Sequence, residues 1–265
     1  MASSASSIKV FHYQYPPKTT CFPYLYSEKF NVLRIKRGMV RVVIGAEGLN
    51  ASMGDLVFLP PKKVYSVMSG PSPIEFDLVR INISSFINET DVLREFLPAL
   101  GEGRVKLDKL CYDISVRASI DSIANARDLG SIEVVSAVYR FFYLLLSKCN
   151  AEIISCSEKS IISAENYIYE NLDKELKAKQ IAEKFGFCEA YFCRKFKKVT
   201  GLSVLQYIKI LRLSKSLEPL REGTTVKKVA KLCGFSDTNY FTRLFKQHFG
   251  LPPTHFKGKK NAILV

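Results

Sequence analysis

The feature that most constrains the fold is a pattern that occurs twice in the C-terminal part of the chain. Residues 186–201 read GFCEAYFCRKFKKVTG, and residues 234–250 read GFSDTNYFTRLFKQHFG. Each copy follows a short apolar segment, KQIAEKF or VKKVAKLC, and the second copy has one extra residue before its tyrosine. An apolar helix, a Gly-Phe turn and a second helix form the layout of a helix-turn-helix. The sequence therefore predicts two linked helix-turn-helix motifs.

The two copies keep their apolar residues and turns but differ on the outward face of the second helix. In the later copy this face carries threonine, asparagine and arginine side chains one helical turn apart. Arginine can bind guanine, asparagine can pair with adenine, and threonine can contact a thymine methyl group or hydrogen-bond either base. A helix with this face suits the major groove of DNA. Its outward residues are Thr238, Asn239, Thr242 and Arg243.

The outward face of the earlier copy has one strong base reader. Arg194 can bind guanine, whereas Ala190 offers only a methyl contact and Cys193 is a weak donor. Glu189 could accept a hydrogen bond from cytosine, but its position at the helix start favours a capping or dipole role. We therefore expect the earlier copy to rely on Arg194, methyl contacts and phosphates, and the later copy to supply more polar base discrimination.

Positive charge is concentrated in the same part of the chain. The net charge is +14, and residues 160–265 hold 20 Lys and Arg against 9 Asp and Glu, a net charge of +11. The remaining 159 residues hold 19 against 16, a net charge of +3. Such asymmetry indicates a polyanionic partner for the basic segment, or else a solvated basic surface.

The N-terminal part has a β-rich pattern. Short runs of Val, Ile, Leu and Phe recur about every ten residues, which predicts a small cupin-like β-barrel or jelly roll. These runs are residues 30–38, 39–45, 54–61, 63–70 and 74–83. From about residue 88 the pattern is helical, and its clearest helix, 132–149, is apolar nearly all round. Such a helix must be buried on more than one side, either deep in the fold or against a second copy of the chain.

These patterns predict an α+β chain with two domains. A β-barrel domain with C-terminal helices is expected over residues 1–150, a short polar linker over 151–160, and an all-α DNA-binding domain with two helix-turn-helix motifs over 161–265.

Cysteine usage and hydropathy predict a cytoplasmic protein without a membrane partner. No run of about 18 uncharged apolar residues occurs, and the N-terminus lacks a basic start followed by an apolar stretch. The seven cysteines are odd in number and form no CxxC pair. We therefore expect reduced cysteines that pack in the core, and neither a disulfide framework nor a zinc site.

A metal-dependent enzyme built on the barrel is one alternative. It would need several His or carboxylate ligands that converge on one site. The N-terminal part has a single histidine, His12, in a stretch expected to be loose, and Asp55, Glu75 and Asp77 do not have a ligand spacing. No nucleophile elbow, P-loop or dinucleotide fingerprint occurs. We therefore predict no enzymatic activity, no catalytic residue, no metal and no cofactor.

The C-terminal segments resemble a known family. Residues 226–256, VKKVAKLCGFSDTNYFTRLFKQHFGLPPTHF, resemble the signature of the AraC/XylS-type bacterial transcription regulators, because the VA, GF, YF, FK, G and PP groups and Phe256 fall at the family's spacings. Residues 178–207 resemble the family's first helix-turn-helix. The resemblance implies seven helices, with a long joining helix over residues 204–217 ahead of Pro219. It also implies two recognition helices in successive major-groove segments, about 34 Å apart on one face of the DNA.

The resemblance assigns roles to individual residues. Carried over by alignment, base contacts come from Ala190, Cys193, Arg194, Thr238, Asn239, Thr242 and Arg243, and phosphate contacts from Lys197, Lys198, Lys228 and Lys246. The implied partners are double-stranded DNA and RNA polymerase, and the implied role is activation.

The resemblance also extends to the N-terminal part. It implies a barrel that dimerises or binds a small-molecule effector. The layout is similar to enteric virulence and stress regulators, some of which bind fatty acids through lysines. This chain has Asn31 and Thr225 where those lysines align, which argues against a fatty acid.

Two other readings stay open at this level. A weakly specific DNA- or RNA-binding protein would explain the charge, although it would not explain why the outward face differs while the core is kept. The N-terminal domain could also bind a protein partner instead of a small molecule.

Overall fold

The computed structural model describes residues 7–86, 99–100, 105–106, 110–111, 113–148, 152–153 and 159–258. Within these residues antiparallel sheets are followed by helices, so the predicted α+β class is confirmed. The strands are β1 (Ile8–Tyr15), β2 (Thr20–Ser27), β3 (Phe30–Arg37), β4 (Met39–Ile44), β5 (Glu47–Ser52), β6 (Leu56–Leu59), β7 (Lys63–Ser69), β8 (Ile74–Ile81), β9 (Val105–Lys106), β10 (Leu110–Cys111) and β11 (Glu152–Ile153).

The strands form two main sheets. The first sheet has the order β1-β8-β3-β6-β10, and the second sheet has the order β2-β7-β4-β5. All of their pairings are antiparallel, and β9 pairs with β11 in a separate short ladder. The β3–β4 and β4–β5 connections are tight, which matches the Gly punctuation of the sequence.

The two sheets bury a common apolar core between them. Strand β4 alternates buried and exposed residues, because Val40 and Val42 face the core while Met39 and Arg41 face outward. Strand β6 is buried throughout, since the first sheet is covered on both faces. One face meets the second sheet and the other meets helices.

Helices α1 (Ile114–Ala124) and α2 (Ile132–Lys148) cover the outer face of the first sheet. Phe141 and Phe142 of α2 pack against Phe30 and Phe58 of the sheet. Tyr143, on the opposite side of α2, is 58% exposed. Helix α2 is therefore buried on more than one side, as predicted, by the first sheet and by α1. A contact between α2 and a second copy of the chain stays a prediction.

The C-terminal part of the described chain is helical. Its helices are α3 (Lys159–Glu170), α4 (Ala178–Lys184), α5 (Glu189–Thr200), α6 (Val204–Arg221), α7 (Val226–Leu232), α8 (Thr238–Phe249) and α9 (Pro253–Phe256). Side chains of α3, α4, α5 and the first half of α6 form one core. Those of α7, α8, α9 and the second half of α6 join the core between the two sheets.

Several strands were not predicted from the sequence, including the two-residue strands β9, β10 and β11, and one expectation about β1 is wrong. His12 does not lie in a loose stretch: it belongs to β1, where its Nδ1 lies 2.5 Å from Oδ1 of Asp77 on β8. Strands β2 and β5 were also missed. The sequence of β5, EGLNAS, has too few apolar residues to signal a strand, and it forms one by pairing along its whole length with β4.

The joining helix is longer than expected. Helix α6 continues through Pro219 to Arg221 instead of ending ahead of the proline. Proline removes one helical amide donor. The helix nevertheless continues for another turn, because Leu217 and Leu220 are both buried there. At its start, Ser203 and Gln206 form a capping box.

The helical part docks against the second sheet through polar and aromatic contacts. The amide of Tyr26 donates to Oγ of Ser214 at 3.0 Å, and the Tyr26 ring stacks on Tyr169 with centroids 4.7 Å apart. Nζ of Lys63 lies 2.7 Å from Oε2 of the buried Glu165. These contacts join residues that are far apart in the sequence, and they fix the helices relative to the sheets.

Candidate nucleic-acid interface

Helices α4 and α5 form the first helix pair, and helices α7 and α8 form the second helix pair. The two connecting turns are built in the same way. In the first, the amide of Phe187 donates to the carbonyl of Ala182 at 2.9 Å, and in the second the amide of Phe235 donates to the carbonyl of Ala230 at 2.9 Å. The repeat seen in the sequence is therefore also a repeat of backbone geometry.

A glycine in the left-handed conformation makes each turn possible. Gly186 has a φ of 74° and Gly234 has a φ of 78°, values that a residue with a Cβ adopts only with strain. Each glycine follows the last turn of the leading helix and reverses the chain, which is the position where helices most often end in glycine.

Phenylalanines hold the second helix of each pair against the leading helix. Phe192 and Phe196 of α5 are fully buried. Phe241, Phe245 and Phe249 of α8 are buried as well. With these side chains inward, the opposite sides of α5 and α8 face away from the core, as the sequence pattern predicted.

The predicted base readers of the first helix pair lie on the accessible side of α5. Ala190 and Arg194 are exposed, and Cys193 is half-buried. Burial, followed by the nearby charge of Glu189, raises the pKa of Cys193, so its thiol stays protonated at neutral pH. Arg194 is therefore the charged group among these three predicted base readers.

The predicted base readers of the second helix pair lie on the accessible side of α8. Asn239 and Arg243 are exposed, and Thr238 and Thr242 are half-buried. Oγ1 of Thr242 donates to the carbonyl of Thr238 at 2.9 Å, so its hydroxyl can only accept from a base while its methyl group remains free. The Arg243 guanidinium lies 5.6 Å from the ring centroid of Tyr240, which restricts the directions it can take.

The predicted phosphate contacts are all solvent-exposed. Among the described residues none of the four lysines makes an ion pair. Those on α5 and α8 lie in the last helical turn, where a positive charge also favours the helix dipole. They are Lys197, Lys198 and Lys246, and the fourth, Lys228, lies on α7.

Sequence reasoning missed one residue that connects the two helix pairs. Arg212, in the middle of α6, donates from Nε to the carbonyl of Leu172 at 2.9 Å and from Nη2 to the carbonyl of Lys174 at 2.7 Å. Its partners are backbone groups 40 and 38 residues away, so no local pattern in the sequence could indicate them.

The described part of the chain contains no cluster of three or more His, Cys, Asp or Glu residues that could hold a metal ion. A search of the same residues for an apolar helix long enough to cross a bilayer found none.

Comparison with known proteins places this interface in a family. A helix-turn-helix domain model matches residues 172–259, a range that includes both helix pairs. The transposon Tn10 TetD protein of Escherichia coli is 37% identical over 95 residues, which are 36% of this chain and 69% of TetD. The HTH-type transcriptional activator RhaR of Pectobacterium carotovorum is 29% identical over 168 residues, which are 63% of this chain and 53% of RhaR. This chain therefore spans about half the length of RhaR.

The fold as a whole is similar to a solved structure. ToxT from Vibrio cholerae O395 superposes with a TM-score of 0.64 at 17% sequence identity, and the match covers 97% of this chain and 100% of ToxT. That likeness concerns the fold, with sheets followed by helices. The family assignment rests on the sequence matches of the helical part. This chain belongs to the AraC/XylS-type family of helix-turn-helix regulators.

Proposed function

We propose that this protein is a sequence-specific DNA-binding transcription regulator. One observation carries the proposal: the two helix pairs keep the same buried phenylalanines and the same turn, while the exposed residues of α5 and α8 differ. A surface that needed only to attract a polyanion would not require this divergence, because nonspecific binding is almost entirely electrostatic. Different side chains on equivalent faces suit two different base sequences.

In this proposal both helix pairs are DNA-reading helix-turn-helix motifs. Helices α5 and α8 enter successive major-groove segments, and the exposed lysines contact phosphates and set the register. We also propose that the sheets belong to a barrel-like domain over residues 1–150, followed by a linker over residues 151–160. RNA polymerase contact, dimerisation through the N-terminal part and activation are proposals as well. Activation is supported by the name of the relative RhaR. The absence of enzymatic activity and the cytoplasmic location also stay predictions.

Genome-wide capture of DNA by the tagged full-length protein tests the function. The captured sites should share a motif with two conserved segments about one helical turn apart. Purified protein should then prefer a captured site over bulk DNA by more than about tenfold at physiological salt. A smaller preference, or equal binding to RNA, would favour the weakly specific nucleic-acid-binding protein instead.

Two arginines at the seam between the sheets and α6 support a second element of the proposal, a carboxylate effector. Arg80 of β8 donates from Nε to Oδ1 of the buried Asn31 at 3.0 Å. Arg221 ends α6, and its pKa is lowered by burial first and by the charge of Arg80 second. The two guanidinium groups are thus near enough for their charges to interact at a partly buried site, where Glu218 offsets part of the repulsion and a bound anion would offset more.

The surroundings of the arginine pair favour an anion with an apolar body. Burial raises the pKa values of Tyr13 and Tyr65, so these phenols remain neutral, and Tyr65 hydrogen-bonds Arg80 without supplying a negative charge. The Tyr13 ring also contacts Phe22 and Phe76, at centroid distances of 5.0 Å and 5.3 Å. An apolar acid that enters here would have to displace part of this aromatic cluster.

The arginine pair changes the argument drawn from Asn31 and Thr225. Arg80 contacts Asn31 directly, and Arg221 lies four residues before Thr225. Positive charge is therefore present next to both positions where the lysines of fatty-acid-binding members align. One crystal structure of ToxT holds an unsaturated fatty acid and another holds a naphthalenyl butenoic acid. We propose the same ligand class, an apolar monocarboxylic acid, for this chain.

Binding of oleate, measured by titration calorimetry on the full-length protein, tests the effector. Arg80→Ala and Arg221→Ala should each weaken binding by about tenfold or more, because each removes a charge-assisted hydrogen bond. Arg37→Ala, which removes an exposed arginine of β3, should leave the affinity unchanged. Equal loss in all three variants would indicate nonspecific ion binding, and no binding by the wild-type protein would favour a protein partner for this domain.

A further inference from the structure

Two recognition helices can read one DNA site together only if their separation and relative rotation match the duplex. Helix α6 connects the two helix pairs with 18 residues, a length of about 27 Å. A single helix between two bodies leaves their relative rotation open to bending and fraying at its ends. A contact that joins the two pairs away from the ends of α6 would remove that freedom.

Arg212 makes such a contact on the side of the first helix pair. Its two hydrogen bonds reach the carbonyls of Leu172 and Lys174, just after the end of α3. Both carbonyls lie in the segment between α3 and α4, outside the hydrogen-bond ladder of either helix, and Arg212 supplies a donor to each of them. Leu172 is fully buried in the core that α3 shares with α4 and α5, which makes the attachment point rigid.

The same groups touch the turn of the second helix pair. A Cβ atom added to Gly234 would lie 2.1 Å from the carbonyl oxygen of Leu172 and 3.0 Å from Cζ of Arg212. The Arg212 guanidinium also lies 5.8 Å from the ring centroid of Phe235. The glycine turn of the second pair therefore packs directly against the backbone that follows α3, and Arg212 lies beside both.

The turn of the first helix pair has no such contact. A Cβ atom added to Gly186 would meet no atom of the described structure within 4 Å, although Gly186 has almost the same φ as Gly234. The two glycines thus serve the same local conformation, and only Gly234 also serves a close approach between the pairs.

Arg212 is half-buried where these groups meet, and this burial lowers its pKa, while the nearby groups Cys233 and Asp173 act in the opposite direction. Because an arginine remains charged in proteins, its hydrogen bonds to the two carbonyls are charge-assisted and stronger than neutral ones.

We propose that Arg212 is a positioning residue that sets the spacing of DNA segments this protein accepts. Arg212, the Leu172 carbonyl and the Gly234 turn form a rigid joint between the two helix pairs. The joint fixes α5 and α8 at one separation and rotation without touching DNA. This inference rests on the proposed function, since it concerns how two DNA-reading motifs are held.

The test uses a duplex that the wild-type protein selects from a pool with two randomised segments, remade with one base pair added or removed between them. One base pair moves the second groove segment by about 3.4 Å and 34°. Wild-type protein should lose affinity by at least about tenfold on either change. For Arg212→Ala the same loss, the ratio of affinity at the selected spacing to affinity at an altered spacing, should fall below about threefold. Binding at the selected spacing should also be weaker than in the wild type. Lys209→Ala removes an exposed charge from the same helix and should keep the wild-type ratio.

A pair of glycine variants supplies an independent measurement. Gly186→Ala and Gly234→Ala impose the same left-handed strain, but only the second creates a clash with Leu172. Gly234→Ala should change the preferred spacing or make the affinity less dependent on the spacing between the two DNA segments. Gly186→Ala should bind the selected spacing best, as the wild type does. This pair decides the matter if Arg212→Ala does not fold in a thermal melt.

The outcomes separate the inference from the proposed function. If the wild-type protein selects no duplex, the proposed function is wrong. If it selects one, and Arg212→Ala or Gly234→Ala weakens binding equally at every spacing, the joint does not set the spacing and the inference is overturned.

Discussion

The first and second helix pairs share a core and a turn, but their exposed helices are supported differently. Asp237 caps α8 by accepting from the amide of Asn239 at 2.8 Å, whereas Cys188, at the equivalent position of α5, makes no side-chain cap. The turn at Gly234 is packed, and the turn at Gly186 is open. The pair with the richer hydrogen-bonding face is therefore also the more firmly held one, which suits direct readout of several bases.

The two pairs also contact the sheets differently. The carbonyl oxygen of Gly45, in the β4–β5 turn, would lie 2.5 Å from a Cβ atom added to Gly201 at the end of α5. At the end of α8, Nε2 of His248 lies 2.7 Å from the carbonyl of Tyr24 in β2. Both exposed helices are thus anchored to the second sheet at their C-terminal ends, one by a close backbone approach and one by a titratable side chain.

The largest effect should come from the buried phenylalanines, because the two helix pairs share this core. Removing one from either pair should destabilise the protein by a similar amount. Phe245→Ala and Phe196→Ala each remove a fully buried ring and should each lower the free energy of unfolding by about 3–5 kcal/mol. Chemical denaturation of the full-length protein measures both values. A loss below about 1 kcal/mol for one of them would show that the two cores are not equivalent.

The next effect concerns base reading, where removing the arginine of each helix pair should have different consequences for specificity. Arg243→Ala should lose about 1–3 kcal/mol of binding and relax specificity at one base position, because neighbouring Thr238 and Asn239 still hold the register. Arg194→Ala should relax more of its segment, since Ala190 and Cys193 offer little hydrogen bonding. Competition binding against single-base variants of a captured site measures this. Unchanged affinity of Arg243→Ala would refute the assigned register of α8.

The difference in helix capping should produce a smaller effect. Asp237→Ala removes the acceptor for the Asn239 amide and should cost about 1 kcal/mol of stability. Cys188→Ala should change stability by less than about 0.5 kcal/mol, because this residue provides no side-chain cap. Conversely, Cys188→Asp should stabilise the protein by supplying the missing acceptor. Equal losses in the two alanine variants would remove this distinction between the pairs.

A phosphate contact should act on all sequences alike. Lys246→Ala should weaken binding to specific and nonspecific DNA about equally and reduce the slope of log affinity against log salt by about one unit. Measurements at several salt concentrations separate this role from base reading. A loss confined to the specific site would contradict it.

The smallest effect concerns pH and only the second pair. Burial lowers the pKa of His248 below its ordinary value of 6.5, while the hydrogen bond to Tyr24 opposes this. The unfolded chain then binds the proton more tightly, so the contribution of His248 to stability is present above pH 6.5 and is lost as the pH falls. His248→Gln keeps a donor for the Tyr24 carbonyl but does not titrate. Between pH 8 and pH 5.5 the wild type should lose more stability than this variant, and parallel curves would exclude the effect.

Most of the candidate interface could be predicted from the sequence. Helices α5 and α8, their buried phenylalanines and the glycine turns all follow from spacings of three and four residues, which local periodicity encodes. The exposed positions of Ala190, Arg194, Asn239 and Arg243 follow from the same spacing. What the spacing did not indicate is that the hydroxyl proton of Thr242 is already engaged within its own helix.

The N-terminal part was less predictable. Strands β3, β4, β7 and β8 have the apolar runs that signal a strand, and the structure has them close to the expected bounds. Strand β5 is polar, and β1 carries exposed His12 and Gln14, so neither has such a run. They are strands because β4 and β8 offer them backbone partners, and strand formation depends on such context more than helix formation does.

By itself, the sequence determined the duplicated helix pairs, the side each of them exposes and the charge that surrounds them. These properties depend on residues a few positions apart, whose relation is fixed as soon as a helix forms. Only the tertiary structure decided that Arg212 contacts residues from both pairs, that the charge of Arg80 acts on Arg221, and that His248 reaches Tyr24 across 224 residues. Such contacts depend on how distant segments pack, because the burial of the shared cores selects which backbone carbonyls and charges come within reach.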